Sequence, residues 1–287
     1  MPMIDRRQFV ASCLTSVAVG AELQLRPYPD PRSHPSRDPR PWGIQLYTVR
    51  DLARADLAGT LDALATMGYS EVEFAGLYGH AAADVRGMLD RAGLAASAGH
   101  VAVEALADDR IAAIIADALA LGHLYLVVPW IPASRRSVEG YAGIAETFNR
   151  AGRTLRAAGL TLGYHNHDFE FAAFDGTPGG RCGYDILLER TDPSLVAMEL
   201  DLFWIRKGGR DAFQYLERHA GRFRLVHIKD MDAGGNMVDL GSGVMPWREL
   251  LDAAGVAGVT HWFAEHDEPS DPMAFARSAA RYLQALA

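Results

Sequence analysis

Long apolar runs are missing from this sequence. No stretch reaches the roughly 18 residues that a membrane span needs. Cysteine is nearly absent: Cys13 and Cys182 are the only two. Cys13 falls in the leader described below, so a mature chain would keep one thiol and no internal disulfide. A chain of this length can bury a core large enough to do without one. Lysine is as scarce, with only Lys207 and Lys229. No Gly-rich dinucleotide fingerprint follows the first strand candidate, which counts against an open doubly wound sheet. Net positive charge is lacking too. The 287 residues carry −8, and residues 1–41 hold six Arg against four acidic residues, so the remainder carries −10. An acidic body is a poor partner for nucleic acid or an anionic membrane surface.

The first forty residues read as a leader and a spacer. Asp5-Arg6-Arg7-Gln8-Phe9-Val10 has the form of a twin-arginine export signal, followed by a modest apolar stretch from Phe9 to Ala21. The expectation is a signal over 1–21 and a periplasmic or otherwise exported mature protein. Residues 22–41 contain Pro27, Pro29, Pro31, Pro35, Pro39 and Pro41, which suits an extended linker. The body is then 42–287. The twin-arginine route carries folded proteins, which fits a protein that loads a metal before export.

From Trp42 onward short β-rich runs alternate with amphipathic helical runs. Strand candidates are 43–49, 69–75, 94–100, 123–129, 160–166, 195–201, 223–229 and 259–265. The clearest helical patterns are 105–121 and 138–158. Gly68, Gly93, Gly122 and Gly159 each stand between a helix and the next strand, where a left-handed cap belongs. Eight such units in about 245 residues predict a (β/α)8 TIM barrel, an α/β fold.

Polar residues collect where barrel strands emerge at the catalytic mouth. Strand three ends in His100, strand five in His165-Asn166-His167, and strand six in Glu199-Leu200-Asp201. Strand seven ends in His227-Ile228-Lys229-Asp230 and strand eight in Glu265-His266-Asp267; strands one and two add Gln45 and Glu73. Side chains at i and i+2 share a face. So His165 with His167, Glu199 with Asp201, His227 with Lys229, and Glu265 with Asp267 point inward together. A lone His or Asp at a strand end is ordinary, as a surface or capping residue. Four adjacent strands converging imidazole and carboxylate on one point are costly to bury without a cation. Nitrogen and oxygen ligands fit one divalent ion: Mn, Co, Mg, Fe or Zn.

At these residues the chain resembles the xylose-isomerase-like sugar phosphate isomerase/epimerase family, whose barrel is shared with metal-dependent DNA-repair endonucleases. The likeness covers nearly all of 42–287. It is most specific at Met198–Gly209, at Val226-His227-Ile228-Lys229-Asp230-Met231, at Gly241-Ser242-Gly243 and at Ala264-Glu265-His266-Asp267. The resemblance implies a metal held by Asp201, His227 and Glu265. The fourth family ligand is a Glu on strand five, where this chain has His165-Asn166-His167, so His165, or else His167, would take its place. That departure breaks the symmetric carboxylate pair of the family's epimerases. Relatives with a similar run dehydrate keto-inositols, and exported relatives act on 3-keto-glycosides.

The chemistry implied is proton removal next to a carbonyl. His167 or His100 could serve as a neutral imidazole base. Lys229 could hold an oxyanion or protonate a leaving group, and Glu265 could share the proton handling. Trp130, Trp204 and Trp247 could stack on a sugar ring or merely pack. The expectation is a metal-dependent isomerase/epimerase acting on a small carbohydrate. The alternatives are a lyase or hydratase acting on a 3-keto-glycoside or keto-inositol, and a non-catalytic sugar-binding barrel. A DNA-repair endonuclease fits the acidic body poorly. Whether copies of the chain pair into a homo-oligomer is left open.

Overall fold

The computed structural model describes residues 40–286 apart from Pro178. The expected leader, Cys13 and all but the last two residues of the expected linker lie outside the described residues. Eight parallel strands close into a barrel. They are β1 (Trp42–Gln45), β2 (Glu71–Phe74), β3 (Ala95–His100), β4 (Tyr125–Val128), β5 (Thr161–His165), β6 (Val196–Asp201), β7 (Phe223–Ile228) and β10 (His261–Ala264). Between β7 and β10 a small antiparallel ribbon, β8 (Asp230–Met231) and β9 (Met237–Val238), stands outside the barrel. Among the described residues no helix is long and apolar enough to cross a membrane.

The alternation of strand and helix dictates this closure. A strand followed by a helix and a parallel strand crosses over with one hand, and eight repeats return to the first strand. Gly68, Gly93, Gly122 and Gly159 all adopt positive φ, at 98°, 72°, 79° and 84°. Each ends a helix in the left-handed conformation that a side chain resists. The helix Val138–Ala157 buries Tyr141, Ile144, Ala145, Phe148, Ala151 and Leu155 against the barrel. Those positions recur at the three-to-four spacing of a single helix face.

Two elements differ from the sequence reading. The first strand was expected over 43–49 but ends at Gln45, and Leu46–Val49 forms a 3-10 turn. The Gln45 side chain accepts a hydrogen bond from the Tyr47 N–H (3.0 Å) and so turns the chain. Buried apolar residues in a short run carry no period that separates strand from turn. The helix expected over 105–121 is split into a 3-10 turn, Val103–Leu106, and a helix, Ile111–Leu121. Asp108 and Asp109 lie between them, and such residues favour turns over helix interiors.

The barrel interior is layered. Ala98, Tyr125, Val127, Ala197, Leu225 and Phe263 form an apolar cluster inside it. Glu71 lies buried too, accepting hydrogen bonds from Ser97 Oγ (2.5 Å) and His261 Nδ1 (2.9 Å). Gly163 leaves room for this packing: a Cβ there would stand 2.8 Å from Val127 Cγ2. The next inward residue on β5 is His165, and with it the polar mouth begins.

Candidate metal centre

Residues from β5, β6 and β7 and the loop after β10 converge just above the apolar layer. His227 Nδ1 is 2.5 Å from Glu265 Oε2 and 4.0 Å from Asp201 Oδ2, and His165 Nε2 is 3.8 Å from the same Asp201 oxygen. Asp201, His227 and Glu265 are close enough to hold one metal ion. A second group, His100, His165, Glu199 and His227, shares His227 with it. Lys229 closes the first group, its Nζ 3.1 Å from Asp201 Oδ2, 2.9 Å from Glu265 Oε2 and 2.7 Å from Asp267 Oδ1.

The donor atoms themselves test whether a cation fits. Asp201 Oδ2, His227 Nδ1 and Glu265 Oε2 are buried, and none makes an aligned hydrogen bond. The Lys229 ammonium stands beside the two oxygens, and two carboxylate oxygens and an imidazole nitrogen converging without aligned hydrogen bonds leave lone pairs that a metal ion can take up. The other Asp201 oxygen is already used: Oδ1 accepts from the N–H groups of Phe203 (2.9 Å) and Trp204 (2.8 Å), capping the helix Leu202–Lys207. Asp201 therefore caps with one oxygen and offers the other. Asn166 Oδ1 accepts from the Asp201 N–H at 3.1 Å and ties β5 to β6. The two carboxylates, one or two imidazoles and open cavity side suit a divalent ion with a free coordination position.

Charge in the centre follows from burial and neighbours. Burial and the adjacent His227 push His165 well below the usual imidazole range. Burial and the Lys229 ammonium hold His167 down at about 3. His100 goes the other way: burial opposes its charge, but Glu73 and Glu199 outweigh it and raise the group to about 9. Burial likewise opposes the charge on Lys229, and Asp201, Glu265 and Asp267 together keep it well above the ordinary lysine value. Burial raises Asp201 to about 6 against the pull of Lys229 and His227.

A cavity of about 640 Å³ opens above these groups. His100, His165, His167, Lys229 and Glu265 reach it from below, and Tyr47, Glu104 and Trp130 stand on its walls. Trp130 is 49% exposed and packs edge-on to His167 (5.1 Å) and Phe169 (4.9 Å). Of the other two tryptophans named from the sequence, Trp204 packs beside His167 (5.4 Å) without lining the cavity. Trp247 is 2% exposed, in the core. Asp230 leaves the cluster too: its carboxylate accepts from the N–H groups of Met231, Gly241, Gly243 and Met245. The Gly-Ser-Gly stretch thus wraps the Asp230 carboxylate, and a Cβ on Gly243 would collide with it.

One buried residue escaped the sequence reading. Glu170, in the short 3-10 turn Phe169–Phe171, accepts from the His167 N–H at 2.9 Å and from the Tyr164 hydroxyl. It fixes the backbone that presents His167. The only sequence signal was an acid between two aromatic residues, which an amphipathic surface turn gives equally well.

Residues 61–286 match the family model for the xylose isomerase-like TIM barrel. The chain belongs to that family. A sugar phosphate isomerase/epimerase from Parabacteroides distasonis ATCC 8503 superposes with a TM-score of 0.74 at 26% identity, covering 88% of this chain and 96% of that one. An inosose dehydratase from Geobacillus thermodenitrificans is 27% identical over 165 residues, 49% of this chain and 53% of that enzyme. The chain thus spans about half the length of this curated relative. The IolI protein, solved with a bound zinc atom, shares the fold at a TM-score of 0.66 and 15% identity, covering 85% of this chain and 95% of that one.

Proposed function

We propose that this protein is a divalent-metal-dependent enzyme that removes a proton from the carbon beside a carbonyl in a keto-sugar or related oxidised carbohydrate. The observation that carries this reading is the convergence of Asp201 Oδ2, His227 Nδ1 and Glu265 Oε2, each buried and without an aligned hydrogen bond. With His165 these residues would hold the ion. Once bound, it supplies Lewis-acid polarisation of the substrate carbonyl and its neighbouring hydroxyl. His167, which reaches the cavity, accepts the carbon-bound proton. Lys229, kept charged by three carboxylates, steadies the developing oxyanion or donates a proton to a departing group. Trp130 and Tyr47 shield the ring from water.

The product depends on symmetry. Epimerisation is best served by two equivalent bases on opposite sides of one carbon. This centre offers unlike partners instead: the His167 imidazole on the cavity side and the Lys229 ammonium beside Asp201 and Glu265. A base facing an acid suits β-elimination, so loss of a β-hydroxyl or glycosidic oxygen is favoured over isomerisation. The dehydratase name of the curated relative supports that choice. The expected setting is the periplasm, reached through the twin-arginine leader; loss of export in an Arg6→Lys/Arg7→Lys variant tests that placement.

The reaction is tested by incubating metal-reconstituted protein with a keto-inositol or a 3-keto-glycoside in D₂O and following it by NMR. Elimination gives an unsaturated or cleaved product, with exchange at the carbon beside the carbonyl. Neither exchange nor product with Mn, Co, Mg, Fe or Zn overturns the reading and favours a sugar-binding barrel.

A further inference from the structure

Beneath the outer ligand set lie two carboxylates that no role above requires. Glu73 and Glu199 are both completely buried, a costly placement for charge unless it is repaid by specific partners. Glu73 Oε2 is 2.6 Å from His227 Nε2 and accepts from Gln45 Nε2 at 2.8 Å. Glu199 Oε2 stands 3.2 Å from His100 Nε2, 3.3 Å from His165 Nδ1 and 3.2 Å from His227 Nε2. Each of the two central histidines therefore turns one ring nitrogen outward, toward Asp201 or Glu265, and the other inward, toward a glutamate.

Two irregularities in the barrel ladder lie beside this group. Register shifts interrupt the barrel ladder between Val72 and Glu73, where β2 pairs with β3, and between Met198 and Glu199, where β6 pairs with β7. The other barrel pairings run without a shift. The extra residue lies on the partner strand each time, Ser97 in β3 and Arg224 in β7, the strands that carry His100 and His227, and a bulge re-aims the strand it interrupts.

We infer that Glu73 and Glu199 are positioning residues that set the ring orientation and tautomer of His227 and His165. A carboxylate at the inner nitrogen accepts a ring N–H and leaves the outer nitrogen with a free lone pair, the form a metal requires. Glu73 does this for His227, with Gln45 holding the carboxylate in place. Glu199 is placed to do it for His165, 3.3 Å from an Nδ1 that has no other hydrogen-bond partner, and pairs with His100 Nε2 at 3.2 Å. The inference rests on the metal centre proposed above. It assigns the second group of donors to orientation and not to a second ion.

The experiment is zinc and cobalt titration of metal-stripped full-length protein, wild type against Glu73→Gln and Glu199→Gln. Gln keeps the shape, but its amide N–H can face the inner ring nitrogen and drive the ring proton to the outer one. Affinity is expected to fall about 10–100-fold in each variant. One ion per chain should still bind at saturation, and the visible spectrum of the cobalt form should shift. A merely structural role would lower the melting temperature of the metal-free variants and leave affinity and spectrum in place. Unchanged affinity and spectrum in both variants overturn the inference while leaving the metal centre standing. Two ions bound to wild type, one of them lost in His100→Ala, overturn it by making the second group a metal site. A wild type that takes up no ion overturns the metal reading and this inference together.

Discussion

At the scale of single residues, the site is built from atoms that do two jobs. Asp201 caps a helix with one oxygen and turns the other to the centre. That division was not legible in the sequence, where Asp at a strand end reads as either cap or ligand. The i, i+2 pairing of His165 with His167 and of Glu199 with Asp201 was legible, because strand alternation fixes which side chains share a face. Depth along the barrel was not. His165 and Glu199 lie lower than Glu265 and Asp267 because β5 and β6 carry their polar residues within the ladder, while Glu265 and Asp267 follow the end of β10. Glu170 supplies a test at this scale. Burial raises its carboxyl from 4.5 to about 8, so the folded state keeps a proton that the unfolded chain gives up. Stability contributed at this position is therefore lost as pH rises between those values. Glu170→Gln mimics the protonated acid and should flatten the fall in melting temperature between about pH 5 and 8. Parallel pH profiles for variant and wild type would count against it.

At the scale of elements, the eight-strand order was legible because composition alternates so regularly, and because Gly at four helix ends has a single conformational use. The ribbon of β8 and β9 was not, since a two-residue strand has no period to detect. What holds it is a side chain. Asp230 gathers the N–H groups of Met231 (2.8 Å), Gly241 (2.9 Å), Gly243 (3.2 Å) and Met245 (3.3 Å). Removing it leaves several buried donors without an acceptor. Asp230→Ala should cost about 2–3 kcal/mol in denaturant unfolding, the usual loss for a hydrogen-bonded buried charge. Faster amide exchange should be confined to 231–245. A loss under about 0.5 kcal/mol, the scale of an indifferent surface change, would show that the loop is held by other means.

At the scale of the whole molecule, a closed parallel barrel places every strand end at one mouth, and that geometry turns scattered polar residues into a site. Five of the body's acids, Glu73, Glu199, Asp201, Glu265 and Asp267, face the centre. Lys229, one of two lysines in the chain, is the ammonium set among them. A divalent ion would add to that positive charge, and its binding should stabilise the fold by an amount that grows with the logarithm of free ion concentration above Kd.

The central claim is tested most directly by counting ions. Metal-stripped protein would be reconstituted with Mn, Co, Fe or Zn, desalted, and measured by elemental mass spectrometry beside Asp201→Ala and His227→Ala, with circular dichroism to check the fold. A single tightly held ion per chain is expected in the wild type and none in either variant, all three remaining folded. No retained ion in the wild type, or the same ion content in the folded variants, would contradict it.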